Sequence, residues 1–324
     1  MTKPERRQTQ AGLGTPAIVA VNVFPGGFNW PIYVGQDKGL FERFGIEVSI
    51  QNTPNSIAQM TDFASGRFDI AMTAIDNIVA YVEGQGQAPI GPQPEFFAFM
   101  GVDTGFLSLV ASPDISNIRD LKGKTLSVDA MTTGYAFVLY DIMRRNGLDK
   151  DKGDYAVAGA GGMVQRWNAL RDGHHHATLL SAPYNLIAQA AGFSELVKAT
   201  DVTGPYQGNV AAARRTWAAR NPEKIAGYIR GFREAVAWLY EPSNRPEAID
   251  ILLRHLPQMA PETAAASYDE LLHPARGFFR DCAFDSSGIE CVLDLRRRYG
   301  LPARPLGAAS RYVDPRYLIA AATR

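Results

Sequence analysis

Three consecutive imidazoles, His174, His175 and His176, sit in a chain that has only five histidines. Such a triplet could hold zinc or nickel, or it could simply occupy a solvated turn. A purification tag is a third origin, and placement in mid-chain argues against it. Cys282 and Cys291 are the only cysteines, too few for a disulfide framework or a structural zinc site. They read as buried thiols, with a single bridge as the alternative in an exported chain. Asp76, beside Asn77, is a carboxylate that could act as a base or accept a hydrogen bond from a ligand.

The 324 residues are 46% hydrophobic and 20% charged, with 30 Gly and 20 Pro, the profile of a globular protein of one large domain or two lobes. Lys+Arg and Asp+Glu each number 33, so no net field draws the chain to nucleic acid or to an anionic membrane. The expected partner is a small molecule. Nothing approaches the roughly 18 uninterrupted apolar residues of a membrane span. Arg6-Arg7 makes a basic start, but no apolar signal region follows before Ile18. The expectation is a periplasmic or other extracytoplasmic protein if a signal was removed, and a cytoplasmic one otherwise.

Short apolar runs alternate with helical patterns, which predicts α/β architecture with parallel strands. Strands are expected at 18–24, 47–51 and 70–74, with helices at 31–44 and 56–65. The same series recurs as strands at 125–129, 155–158 and 177–181 with helices at 134–146 and 163–171. The segment 57–77 aligns with 164–184, setting Gly66 against Gly173 and Asp69 against His176. In both, an amphipathic helix stops at Gly and a three-residue turn enters a strand. The histidines therefore stand at the amino end of their strand. Ligands of open α/β sheets gather beyond the carboxyl ends, which a five-residue strand puts ~16 Å away. The triplet is accordingly expected to take no part in function, and no metal site is expected.

The carboxyl ends carry different residues. After the first strand come Gly26-Gly27, which let backbone approach a ligand, then Phe28, Asn29 and Trp30. Asn55 and Ser56 follow the second strand, where either can cap the next helix. Thr73, Asp76 and Asn77 follow the third. In the second half the matching residues are Thr132, Thr133 and Tyr135, the Gly-rich 159–162 with Arg166 beyond it, and Ser181 with Tyr184. Each has a bland reading as a cap or tight turn. Together they converge on one cleft. The helix starts at Thr133-Gly134 and Gly162-Met163 offer free N–H groups and a positive dipole end to an anion. Phe28, Trp30, Tyr135 and Tyr184 suit a planar or apolar body.

Four segments, "WPIYVGQDKGLFERFGIEVSI" (30–50), "ASGRFDIAM" (64–72), "IRDLKGKTLSV" (118–128) and "NPEKIAGYIRGFREAVAWL" (221–239), carry a resemblance to a known family in their order and spacing. The chain resembles ABC-transporter substrate-binding proteins of the nitrate, taurine, alkanesulfonate and thiamine-pyrimidine-precursor group from about residue 16 to about 300. The resemblance implies the type II periplasmic-binding-protein fold: two α/β lobes, two crossover strands, a ligand closed between them, and a C-terminal helical region packed on lobe one. It implies crossing near 103–106 and return near 206–210, so lobe one spans 16–105 and 208–324 and lobe two 106–207. It also implies a monomer without cofactor that binds a small solute and serves an ABC permease; the helix starts make the expected solute anionic, and the four aromatics lean it toward an aromatic one. Residues 220–256 then form two helices split at Pro242, with Ile225, Ile229, Phe232, Val236 and Leu239 as a core stripe.

The rival is an enzyme or sensor on the same fold, acting on a small aromatic or heteroaromatic acid. Relatives with desulfinase activity place a catalytic Cys after strand one, where this chain has Pro25 to Trp30. The fungal pyrimidine synthases of the group carry a Cys-rich motif and a reactive His, whereas here no His precedes residue 174 and no Cys precedes 282. No catalytic residue is assigned, although a carboxylate mechanism through Asp76 stays open.

Overall fold

A computed structural model describes residues 15–323; the Arg6-Arg7 start lies outside the described residues. Among the described residues, ten strands form two five-stranded sheets. The chain lays down β1 (Ala17–Val23), β2 (Ile46–Asn52), β3 (Ile70–Ala74) and β4 (Phe96–Gly101), then β5 (Ser108–Ala111), β6 (Thr125–Val128), β7 (Ala156–Gly159), β8 (Ala177–Leu180) and β9 (Ser194–Lys198), and returns with β10 (Asn209–Arg214). The sheet orders are β2-β1-β3-β10-β4 and β7-β6-β8-β5-β9, so the chain passes between the sheets at 102–107 and again at 199–208.

The expected parallel pairing holds for β1, β2 and β3 and for β6, β7 and β8, while β10 and β5 run antiparallel to their neighbours. Both are the strands that arrive from the opposite lobe, and they enter their sheets against the local strand direction. β4, β5 and β9 had no counterpart in the sequence reading. The helix expected over 31–44 stops earlier, at Trp30–Asp37, and Gly39 takes a left-handed φ of +63° before a 3-10 turn at Glu42–Phe44. That break turns Phe41 inward. Cβ atoms on Gly35 and Gly231 would stand 2.3 and 2.4 Å from its ring, so both positions must be glycine for Phe41 to stack on Tyr228 at 5.6 Å.

β3 is buried almost throughout, as a strand covered by helices on both faces must be. The lobe-to-lobe correspondence has a backbone counterpart: Gly66 and Gly173 both take positive φ, +83° and +74°. The helices Pro222–Leu239 and Arg245–His255 are split at a short 3-10 turn containing Pro242, and Ile225, Ile229, Phe232, Val236 and Leu239 are all buried. These helices and Arg316–Ala322 pack on the first lobe. Helices Pro261–Leu271 and Ser286–Tyr299 instead touch both lobes. None of the helices among the described residues is long and apolar enough to cross a membrane.

The two connecting segments are tied to each other. Asp103 on the first accepts from the Gly105 amide at 2.7 Å, and from the amide and Nδ2 of Asn209, where the second enters β10, at 3.0 and 2.9 Å. Gly208 passes so near that a Cβ would lie 2.0 Å from the Gly105 nitrogen. A side chain at 208 would push the segments apart.

Candidate functional site

Between the sheets lies a cavity of about 50 Å³. Phe24, Phe28, Ala74, Asn77 and Asn209 face it from the first lobe. Asp129, Thr133, Gly134 and Tyr135 face it from the loop and helix start after β6, and Gly162, Met163 and Arg166 from those after β7. The two helices beginning here, Gly134–Arg145 and Met163–Arg171, have no side-chain cap. Their first-turn N–H groups therefore add positive potential at the wall. The lobes are closed over the cavity by backbone bonds from Gly27 to the Ala182 carbonyl (3.1 Å) and from Gly162 to the Pro54 carbonyl (3.0 Å).

Arg166 is 3% exposed. Its Nη1 donates to the Leu179 carbonyl at 2.7 Å, while its Nε has no partner among the described residues. Burial pulls the guanidinium pKa down, and the Asp129 charge acts against that pull. The Tyr135 hydroxyl is buried without a partner, and burial, then the Asp103 charge, pushes its pKa well up. Asp129 accepts the Ser56 amide on Oδ2 at 3.1 Å, leaving Oδ1 buried and unpaired. Buried polar atoms are nearly always bonded. Three orphans around one cavity mark a place prepared for something polar.

Of the residues that sequence reasoning put forward, Phe28, Asn77, Thr133, Tyr135 and Arg166 are brought together here. Thr73 stands behind Asn77, accepting its Nδ2 at 2.8 Å, and Ser181 stands behind Met163, donating to its sulfur at 3.1 Å. Asn55 caps the helix Ser56–Ala64 through the Ala58 amide at 2.8 Å. Ser56 and Thr132 border a smaller crevice beside the cavity. Asn29 donates from Nδ2 to the Phe24 carbonyl at 2.6 Å.

Three expected residues lie elsewhere. Trp30 faces away from the cleft into the first-lobe core, fully buried, with Nε1 donating to the Ala248 carbonyl at 3.0 Å and Tyr268 edge-on to the ring. As the first residue of its helix it turns with the helix toward the core, not with the strand end. Tyr184, at the start of Tyr184–Ala190, is buried where the second lobe meets Gln258 and Tyr33, and is absent from the cavity wall. Both oxygens of Asp76 are bound by Arg296, so its carboxylate faces that guanidinium. His174 to His176 lie at the amino end of β8, where the His176 amide donates to the Thr125 carbonyl. Cys282 is buried, and burial pushes its thiol up to about 12.

Sequence reasoning missed Asp129, Asn209 and Phe24 as wall residues. Sequence pattern makes Asp129 and Phe24 the last residues of strands, each of which ends one residue sooner. Asn209 opens β10 from its amino end, and a search confined to carboxyl ends passes over it.

Two mixed sheets, two connecting segments and a site between the lobes define the periplasmic-binding-protein fold. The chain belongs to the NMT1-like family, whose model matches residues 15–253. A relative, YtlA of Bacillus subtilis (strain 168), is 23% identical over 215 residues, covering 65% of this chain and 63% of its own length. The periplasmic nitrate-binding protein NrtA of Synechocystis PCC 6803 superposes with a TM-score of 0.79 at 13% identity, over 95% of this chain and 89% of that one. The alkanesulfonate-binding protein SsuA of Xanthomonas axonopodis pv. citri, bound to MOPS, gives 0.73 at 14% identity, over 93% and 99%.

Proposed function

We propose that this chain is a solute-binding protein whose lobes, 16–105 with 208–324 and 106–207, close on a small polar molecule for an extracytoplasmic ABC import system, the protein acting as a monomer. An acceptor or anionic group of the solute is received by Arg166 and the two uncapped helix starts. The observation that carries this reading is the buried Arg166 Nε, unpartnered, on a cavity that both lobes wall. The likeness in fold to NrtA and SsuA, named for binding nitrate and alkanesulfonate, supports it. The space of about 50 Å³ is well below the ~150 Å³ that accommodates benzene in an engineered core. A ring would need the lobes further apart, which weighs against an aromatic solute and favours a compact one.

The test is a thermal-shift screen of small acids, amides and amino acids, followed by calorimetry on hits with wild type and Arg166→Gln. One charged hydrogen bond is worth about 1.5–3 kcal/mol, so the variant should bind a hit roughly 10- to 150-fold more weakly while keeping its circular dichroism. A folded variant of unchanged affinity, or a screen without hits, overturns the reading.

A further inference from the structure

Among the described residues, Asp129 and Arg166 are the two charged ones in the cavity wall. Each keeps one buried polar atom free, Oδ1 of the carboxylate and Nε of the guanidinium, and neither spends it on the other. Their remaining contacts hold them in place: the Ser56 amide fixes Asp129 Oδ2 at 3.1 Å and the Leu179 carbonyl fixes Arg166 Nη1 at 2.7 Å. Since the pair is not joined directly, a guest between them must supply complementary atoms to both.

Asp76 and Asp103 stand behind the wall and not in it: Arg296 binds both oxygens of the first, and the Gly105 amide and Asn209 hold the second. The wall therefore presents one cation and one anion. An oxyanion with acceptor atoms alone satisfies Arg166 but leaves a buried carboxylate facing like charge, which costs free energy in a medium of low dielectric. A guest with an N–H or O–H group satisfies both. The Tyr135 hydroxyl, also unpaired on this wall, can donate or accept and so completes either end.

We infer that the ligand bridges Asp129 and Arg166, giving an N–H or O–H donor to Asp129 Oδ1 and an acceptor to Arg166 Nε. Its class is a compact molecule without net charge, a small amide or a zwitterion, in place of a simple oxyanion. This rests on the solute-binding reading and narrows it.

Calorimetry on the full chain with five probes decides the matter: urea, acetamide and glycine carry donor and acceptor, while nitrate and acetate carry acceptors alone. Wild type should bind at least one of the first three about tenfold or more tightly than either anion, the scale of one charged hydrogen bond. In Asp129→Asn the amide oxygen can keep the Ser56 amide while its NH2 replaces Oδ1 at the cavity, so the order should reverse toward nitrate or acetate. If either anion binds wild type as tightly as the best donor-bearing probe, the inference falls and the solute-binding reading stands. If none of the five binds wild type, the inference falls, and the solute-binding reading stands or falls with the wider screen. The wild-type ranking decides even if the variant does not fold.

Discussion

Arg296 and Asp76 form a two-bond clasp in the buried region where the lobes meet, Nε to Oδ1 at 2.6 Å and Nη2 to Oδ2 at 2.5 Å, with neither side chain more than 1% exposed. The same guanidinium donates to Gln85 Oε1 at 3.1 Å and to the Thr132 carbonyl at 2.9 Å, and lies over the Phe137 ring at 4.8 Å. Asp76 and Gln85 belong to the first lobe, Thr132 and Phe137 to the second. Arg296, carried by Ser286–Tyr299, thus holds both lobes from outside either sheet.

Removing one partner of a buried ion pair strands the other charge. Asp76→Asn should cost about 3–5 kcal/mol in urea denaturation, while the paired replacement Asp76→Leu with Arg296→Met should cost less than the single change. A double variant as unstable as Asp76→Asn would show that the clasp itself, and not the stranded charge, sets the loss.

Trp30 separates a ligand ring from a core ring. Buried against Tyr268 and bonded to the Ala248 carbonyl, it should behave as core: Trp30→Ala loses about 3–5 kcal/mol of stability, and affinity for any calorimetric hit is unchanged in the folded protein. Weakened binding at intact stability would put the indole back in the cleft.

Burial first, then the charges of His174 and His176, pulls the His175 imidazole below its ordinary value. A base whose folded pKa is depressed contributes stability above its unfolded pKa of about 6.5, and that contribution is lost as pH falls through the folded value. His175→Gln should therefore flatten the fall of the urea midpoint between about pH 7 and about pH 5, with ligand affinity at neutral pH unaffected because the triplet sits at the far end of β8. An unchanged midpoint profile would remove His175 from the acid limb.

Legible along the chain were the repeated βα pattern, the Gly66 and Gly173 stops, the amphipathic stripe of Pro222–Leu239, and the helix starts that bring Thr133, Tyr135 and Arg166 to the cleft. These are matters of local period and local backbone, which neighbours along the chain encode. Tertiary structure alone decided what each side chain meets. Asp76 reads as a cleft carboxylate until a guanidinium 220 residues away takes it. Trp30 reads as a cleft aromatic until the carbonyl of Ala248 and the ring of Tyr268 draw it inward. Asn209 reaches the cavity because β10 enters its sheet reversed, and Asp129 because β6 ends one residue early. Long-range partners and strand direction depend on how distant segments pack, and no local pattern records them.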